Sequence, residues 1–286
     1  SSLHLGRWQV QGSLMQTILH DRTRNAAQSA TVRNASPALF FNYLLKPDGT
    51  LSLHGFVKRH FRAPTFNERY YTDLGNALLR PEKAFQIALG AHWEHAFRHR
   101  LRPRLQLSAE VYYNKVHDKI IAYPKGQQFR WTMLNLGRVA VRGLDVNAAL
   151  EARPQRALQV ALQVRYSYQW AHDLTDPADA YYNQQIPYAP HHSGAAVVSA
   201  SFKRWACYYS FIYVGRRYAQ PENVRRNRLQ PWYTHDLCLL RHFRLSRRIE
   251  GKLTLAVNNI FNQQYEVIAN YPMPGRTLNA ALDINF

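Results

Sequence analysis

The sequence predicts an all-β fold, an antiparallel transmembrane β-barrel of about twelve strands with alternating short and long connections. Three observations carry this prediction. Apolar and polar residues alternate over long stretches, the connections between these stretches alternate in length, and the chain of 286 residues is rich in aromatic side chains, with 18 Tyr, 13 Phe and 6 Trp. Aromatic rings form girdles at the two interfaces of a membrane barrel.

The clearest alternation runs from residue 158 to residue 170, where every second residue from Leu158 to Trp170 is apolar or aromatic. Successive side chains of a strand point to opposite faces, so this segment has one apolar face and one polar face. Several such segments exceed ten residues, whereas strands of soluble proteins are usually nearer five or six. Tilted membrane strands need about 9 to 11 residues for the hydrocarbon layer. The pattern predicts strands at residues 3–19, 36–45, 50–62, 83–98, 104–123, 129–151, 156–172, 191–203, 205–218, 230–245, 248–261 and 275–286.

The predicted connections form two length classes that alternate along the chain. Outer-membrane barrels have tight periplasmic turns and longer external loops, so this alternation places both chain ends on the periplasmic side. The short connections are Lys46–Thr50, Arg98–Arg104, Glu151–Gln155, Lys203–Arg204 and Arg244–Arg247. The long connections lie near residues 20–35, 63–82, 172–190, 217–230 and 262–274, with a medium one near 124–128.

The long connections are rich in Tyr, Asn, Pro and charged residues, and we interpret them as a ligand-binding surface. For each single residue the alternative is a solvated loop with aromatic anchoring. The basic residues suit an anionic ligand or the phosphates of lipopolysaccharide equally well. The candidate substrate-binding residues are Tyr70, Tyr71, Tyr181, Tyr182, Asn183, Tyr218, Arg225, Arg226, Tyr265 and Tyr271.

The formal net charge of +19 predicts a negatively charged partner, such as nucleic acid, anionic lipid or lipopolysaccharide. A compositional habit of the source organism is the alternative, because the arginines are spread along the whole chain. The segment from Arg225 to Tyr233 combines basic and aromatic residues, as in single-stranded nucleic-acid binding. The long alternating strands favour a basic external loop instead, and we expect no nucleic-acid partner.

The sequence contains none of the common catalytic or nucleotide-binding motifs, and we expect neither an enzyme nor a cofactor. His191, His192 and Ser193 are adjacent, but neighbouring strand residues face opposite ways and do not preassemble a nucleophile with its base. The two histidines also lack a third metal ligand. Cys207 and Cys238 are predicted on opposite faces, which favours two free thiols. The first residues lack the features of a signal peptide.

Several segments share their order and spacing with one known family. The chain resembles the C-terminal part of the barrel of TonB-dependent outer-membrane receptors. The matching segments are Phe61–Glu68 ("FRAPxxxE"), Gly75–Asn76 with Leu79–Lys83 ("GN…LxPE"), Asn135–Asp145 ("N…G…xGxE", with Asp145 for the usual Glu), Asn258–Tyr265 ("NxxNxxY") and Tyr271–Arg276 with Phe286 ("YPxPGR…F"). A further departure is Ala88, where the family often has Glu.

The resemblance implies uptake of scarce nutrients, such as iron-siderophores, haem, cobalamin or glycans, across the outer membrane of a Gram-negative bacterium. It also implies that residues 1–286 form a receptor-type barrel segment without a plug domain, with about half the strands of a full receptor. The implied partners are a small nutrient ligand, outer-membrane lipid and lipopolysaccharide, the TonB complex through an N-terminal part, and the barrel-assembly machinery. That machinery reads a final strand ending in Phe286.

Two other classes of protein remain as alternatives. An autonomous twelve-stranded barrel, such as an autotransporter translocator or an outer-membrane phospholipase, fits the length and strand count. A translocator should begin with a helix that threads the pore, whereas Trp8–Gln11 already alternates like a strand. A phospholipase should place Ser and His together on an outward face, and the strands show no such pair. The second alternative is a soluble basic β-protein that binds nucleic acid.

Overall fold

A computed structural model describes residues 2–21, 31–72, 74–99, 101–125, 130–244, 246 and 249–285. The strands are β1 (Ser2–Leu5), β2 (Trp8–His20), β3 (Thr31–Leu44), β4 (Leu51–Arg62), β5 (Glu82–Ala96), β6 (Arg104–Lys125), β7 (Arg130–Gln155), β8 (Leu158–Asp173), β9 (His192–Phe202), β10 (Trp205–Val214), β11 (Arg217–Tyr218), β12 (Arg228–Leu229), β13 (Trp232–Arg244), β14 (Glu250–Asn258), β15 (Glu266–Ile268), β16 (Tyr271–Pro272) and β17 (Thr277–Asn285). One short helix, α1 (Phe66–Tyr70), and a 3₁₀ turn (Arg225–Asn227) lie in the connections. Within the described ranges, no helix has the length and apolar character needed to cross a membrane.

Thirteen of the described strands form a single antiparallel sheet in the order β1 to β10, β13, β14 and β17. Each strand therefore pairs with its neighbour in the chain, apart from the short strands that belong to loops. β11 pairs with β12, and β15 pairs with β16, as two separate small hairpins. In the described part of the chain β1 and β17 do not pair with each other, so the sheet is open and these strands form its two edges. The predicted all-β antiparallel fold is confirmed.

The register places apolar residues opposite apolar residues from strand to strand. Leu255 lies opposite Leu239 on β13 and Ala280 on β17, and Leu162 lies opposite Leu150 and Val198. One face of the sheet is therefore apolar along much of its strands, and large side chains on it are exposed, including Leu14, Leu89 and Leu278. Because exposed apolar faces of this extent are rare in soluble proteins, this face has the character of a surface that contacts lipid.

The other face of the sheet is polar and has hydrogen bonds between strands. Ser167 donates to the Asp145 carboxylate at 2.6 Å, and Asn147 donates to the Ser108 hydroxyl at 3.4 Å. Cys238 lies opposite Tyr208 on this face, whereas Cys207 lies opposite Leu239 on the apolar face. Both cysteines are free, which confirms the prediction from their positions in the alternation.

The strand predictions are confirmed apart from their bounds and three details. The predicted strand 3–19 is a hairpin of β1 and β2, because Gly6 adopts a left-handed conformation (φ 58°) and reverses the chain. The prediction that both chain ends lie at the end with the short turns is therefore wrong for the first strand: Asn285 lies at that end, whereas β1 runs towards it and Ser2 points to the end with the long connections. The predicted strand 205–218 ends at Val214, and the residues beyond Arg216 pair within the loop instead. The predicted turn 151–155 belongs to β7, and the turn follows it at residues 156–157.

The two length classes of connection lie at opposite ends of the strands. The turn between β3 and β4 follows the predicted chemistry, since the Asp48 carboxylate accepts hydrogen bonds from the main-chain N–H and the hydroxyl of Thr50 at 3.0 and 2.8 Å. The long connections at the other end pack together. One of them also packs on the sheet, where Ile186 forms a small buried cluster with the strand residues Val116, Val139 and Ala171. Part of the medium connection near 124–128 lies outside the described residues.

Candidate functional site

Three long connections, residues 174–191, 215–231 and 259–276, fold into one hydrogen-bonded unit, called here the three-loop group. The loops 174–191 and 215–231 are joined by two hydrogen bonds between Gln185 and Asn223. The main-chain N–H of Gln185 donates to Asn223 Oδ1 at 2.7 Å, and Asn223 Nδ2 donates to the Gln185 carbonyl at 3.0 Å. Gln185 is only 4% exposed. A further bond joins the N–H of Tyr188 to the carbonyl of Tyr218 at 2.8 Å.

The second and third loops are joined by Arg217, which is 3% exposed. Its guanidinium donates to the main-chain carbonyls of Gln230 at 3.4 Å, Val267 at 3.0 Å and Glu266. Burial lowers the pKa of this guanidinium from its ordinary value, while the nearby Tyr188 and Glu266 act in the opposite direction. Because carbonyl oxygens accept charged hydrogen bonds well, Arg217 holds the hairpin β15–β16 against β11 and β12.

A cavity of about 650 Å³, called here the junction cavity, lies between the loops 174–191 and 215–231. His172, at the end of β8, lines it with its ring stacked on Trp170 at a centroid distance of 3.8 Å. His172 Nδ1 lies 2.7 Å from the Asn183 carbonyl, which can only accept, so this nitrogen carries a proton. His172 Nε2 lies 3.4 Å from His191 Nε2. Burial, together with His172, His192 and Arg216, lowers the pKa of His191.

A second cavity of about 510 Å³, the Trp232 cavity, lies between the loops 215–231 and 259–276. The rings of Trp232 and Tyr265 stack in its wall, with centroids 4.6 Å apart. Arg228 lines both cavities. Its Nε and the Nε1 of Trp232 are buried donors that have no hydrogen-bond partner among the described residues. Two unpaired donors in one short segment are unusual, since most buried polar groups are hydrogen-bonded.

The connection after β4 contains the predicted "FRAPxxxE" segment and is held in place on several sides. Thr65 and Glu68 form a capping box at the start of α1. Arg62 donates to Glu68 at 3.0 Å and to Glu82 at 2.9 Å. The buried Arg69 forms an ion pair with Asp21, at the end of β2, at 2.8 Å. The segment is thus fixed to its own strands and to a more distant one.

The structure brings some of the predicted ligand-binding residues together. Tyr218 lines the junction cavity, Tyr265 lines the Trp232 cavity, and the Asn183 carbonyl accepts from His172. Tyr181 donates to Glu222 at 3.1 Å, and Arg226 forms an ion pair with the same carboxylate at 3.1 Å.

The other predicted residues lie apart from these cavities. Tyr70 and Tyr71 lie on and after α1, where Tyr70 packs on Phe66 at 4.9 Å. Tyr182, Arg225 and Tyr271 are exposed. Phe286, the predicted assembly signal, lies outside the described residues. A role in binding or assembly stays a prediction for all of these residues.

Sequence reasoning missed His172, Arg216 and Trp232 as residues of these cavities. They belong to different strands and loops and become neighbours only when the loops fold, so no local pattern marks them. The adjacent His191 and His192 have different partners, since His192 Nδ1 lies 2.8 Å from the hydroxyl of Tyr166. Among the residues that the structure describes, no group of three or more His, Cys, Asp or Glu side chains could hold a metal ion.

A single-layered antiparallel sheet with one apolar face, short turns at one edge and packed loops at the other has the architecture of an outer-membrane barrel segment. The sequence profile of the family described as "TonB dependent receptor-like, beta-barrel" matches residues 1–260. The chain belongs to this family, and the resemblance found in the sequence is confirmed.

Two curated relatives are both named as vitamin B12 transporter BtuB. The protein from Photobacterium profundum is 24% identical over 297 residues, which cover 100% of this chain and 42% of the relative. The protein from Vibrio vulnificus is 27% identical over 121 residues, 42% of this chain and 16% of the relative. The chain therefore spans less than half the length of the relatives it matches.

Solved structures show the same fold at low sequence identity. The copper transporter OprC has a TM-score of 0.71 and 16% identity, over 99% of this chain and 46% of its own. The ferric citrate transporter FecA has a TM-score of 0.70 and 15% identity, over 99% and 43%. The FrpB iron transporter from Neisseria meningitidis has a TM-score of 0.66 and 14% identity, over 99% and 44%.

Proposed function

We propose that this chain is the C-terminal barrel portion of an outer-membrane receptor for nutrient uptake in a Gram-negative bacterium. The family match over residues 1–260 carries the proposal. The three-loop group supports it, because packed loops with two cavities, at the end of the sheet opposite the short turns, suit capture of a ligand from the outside.

The nutrient belongs to the siderophore, haem, cobalamin or glycan class. The names of the relatives include vitamin B12, copper and iron transport, which fits metal-bearing nutrients as well as large macrocycles. The stacked rings of Trp232 and Tyr265 offer an apolar platform, while Arg216, Arg228 and several amides offer hydrogen bonds. Uptake would draw on the TonB complex, which acts through a plug domain outside residues 1–286.

The open sheet supports the proposal that these residues form an incomplete barrel. In hydrocarbon the unpaired backbone groups of β1 and β17 would be unfavourable, so a membrane sheet must close on further strands. The chain also spans less than half of each relative that it matches. Outer-membrane lipid and lipopolysaccharide would surround the apolar face, and the barrel-assembly machinery would insert the strands.

Two measurements test this function. The DNA upstream of the coding region should encode a plug domain and further strands in frame. A strain lacking the gene should grow poorly when one nutrient class, supplied as a ferric siderophore, haem, cobalamin or a glycan, is limiting, and the intact gene should restore growth. Recovery of the protein in the soluble fraction, or equal growth of both strains on every limiting source, would contradict the proposal.

A further inference from the structure

The lining of the junction cavity is basic. Five of its side chains are arginine or histidine, and no carboxylate lines the cavity among the described residues: His172, His191, His192, Arg216 and Arg228. The other polar side chains that line it are uncharged. A cavity with several cationic or protonatable groups and no acidic group is matched to a ligand with negative charge.

Two acidic residues adjoin this lining in the chain, and both carboxylates accept hydrogen bonds from groups that do not line the cavity. The Asp173 carboxylate accepts from the N–H and the hydroxyl of Thr175 at 2.8 and 2.5 Å. The Glu222 carboxylate accepts from Tyr181, Arg226 and Asn227 at 3.1 to 3.3 Å. The hydrogen bond from Arg226, then that from Tyr181, lowers the pKa of Glu222, so it stays ionised in that arrangement.

Arg228 contributes a guanidinium to the lining of the junction cavity. In the part of the chain that the structure describes its Nε has no hydrogen-bond partner, but this atom has almost no exposed surface and is closed to a ligand. Arginine binds the oxygens of carboxylates and phosphates in preference to neutral acceptors.

The facing histidines make the charge of the cavity dependent on pH. His172 already uses Nδ1 for the Asn183 carbonyl, so a proton added to the pair is shared by two Nε2 atoms 3.4 Å apart. Extra positive charge beside Arg216 is unfavourable unless an anion accompanies it. The titratable or charged groups around the pair are His192, Tyr213, Arg216, Tyr218, Arg228 and, behind it, Asp173.

We propose that the junction cavity is a site for an oxyanion, the phosphate or carboxylate group of a larger ligand, and that binding takes up a proton on the His172–His191 pair. The inference rests on the proposed function and assigns a chemical group to its ligand. The oxyanion has two possible sources. It belongs either to a free anionic nutrient or to the phosphorylated headgroup of an outer-leaflet lipid, since His192 and Tyr213 also border the apolar face.

The test uses the purified full chain in a phosphate-free detergent solution, with inorganic phosphate and citrate as soluble probes in titration calorimetry. Phosphatidylcholine vesicles with and without lipopolysaccharide are the lipid probes. Binding of the soluble probes assigns a free anion, and binding only to vesicles with lipopolysaccharide assigns the lipid. Either result supports the site. Absence of binding to every probe at about pH 5.5, the lowest pH of the series, overturns it.

Three variants locate the binding. Arg216→Gln should weaken binding about tenfold, the loss of one charge-assisted hydrogen bond, whereas the exposed Arg276→Gln makes the same charge change in the loop 259–276, outside both cavities, and should have little effect. Arg216→Lys should retain much of the binding, and it guards against a folding defect in Arg216→Gln. Equal losses in Arg216→Gln and Arg276→Gln would show that only overall charge matters.

The dependence of the affinity on pH tests the role of His172 and His191. Affinity should rise about threefold or more as the pH falls from about 7.5 to about 5.5, because the bound anion favours the protonated pair. The rise should disappear in His172→Gln/His191→Gln and persist in His99→Gln, at the opposite end of the strands. An unchanged pH profile in the double variant overturns the proton coupling. A nutrient-specific growth defect of the deletion strain, together with no binding of any probe by the unaltered protein, would refute this site and leave the proposed function standing.

Discussion

Arg217 donates to the main-chain carbonyl of Val267, 50 residues further along the chain, at 3.0 Å. The same guanidinium donates to the carbonyls of Glu266 and Gln230. A single buried side chain thereby fixes the position of the hairpin β15–β16 relative to β11 and β12, and with it the wall of the Trp232 cavity.

Arg217→Ala should loosen the loops 215–231 and 259–276 without unfolding the sheet. The variant removes charged hydrogen bonds and leaves three partly buried carbonyls without this donor, which should cost about 3 kcal/mol of local stability. Limited trypsin digestion should then cleave faster after Arg276. The exposed Arg225→Ala in the same loop is the matched control, and equal cleavage rates in the two variants would contradict the role of Arg217.

Glu68→Ala should release the start of α1. The variant removes the capping box with Thr65 and the ion pair with Arg62, worth about 1 to 2 kcal/mol together, since both groups are partly exposed. Hydrogen exchange of the amides of residues 66–70 should become faster. Glu151→Ala, an exposed carboxylate on β7, should leave these amides unchanged.

The same region should loosen in acid. Burial raises the pKa of Glu68, but the Thr65 N–H and Arg62 outweigh it and hold the pKa below its ordinary value. This stabilisation is fully present above the unfolded value of about 4.3 and is lost as the pH falls through the lowered folded value. Exchange at residues 66–70, corrected for its intrinsic pH dependence, should therefore accelerate below about pH 4. Glu68→Gln should remove this acceleration, and an unaltered profile in that variant would rule the carboxylate out.

Leu255→Arg should impair membrane insertion, whereas Thr254→Arg should be tolerated. The two residues are neighbours on β14, but Leu255 lies opposite Leu239 on the apolar face and Thr254 points to the other face. A cation on the lipid face near the middle of the membrane costs about 2 to 4 kcal/mol. The amount of each variant in the outer-membrane fraction measures the difference. Equal amounts of the two variants in this fraction would mean that the apolar and polar faces of the sheet are assigned wrongly.

Cys207 and Cys238 should remain reduced and differ in reactivity. Although they lie on adjacent strands, they occupy opposite faces, so their sulfur atoms cannot meet. A charged, water-soluble maleimide should label Cys238 in membranes and spare Cys207, which should react only after detergent is added. A shift in mobility between reducing and non-reducing gels would show a disulfide and refute the assignment.

The sheet could be predicted because its signal is local. Alternation fixes the face of each residue without any knowledge of its partner. The missed hairpin at the start had a readable signal as well: the apolar positions are odd at Leu3 and Leu5 but even at Trp8 and Val10, and a two-residue turn at Gly6 produces such a change.

The candidate site could be predicted only as a set of loops. The aromatic composition of the long connections indicated Tyr218 and Tyr265 as candidate binding residues. The contacts that build the cavities, however, join residues that are distant in the sequence. Gln185 and Asn223 are 38 positions apart, and the bond between them has no counterpart in local sequence. His172 likewise becomes a cavity residue only because Asn183 turns its ring towards His191.

The reciprocal bonds between Gln185 and Asn223 also bear on the entropy of recognition. Loops held together before a ligand arrives are preorganised, so the loss of their conformational freedom occurs during folding and not on association. A ligand of this surface should therefore bind with a small entropic penalty. Asn223→Ala should raise that penalty through loop ordering, and it should do so even for a ligand held mainly by the Trp232–Tyr265 platform, on the far side of the loop 215–231.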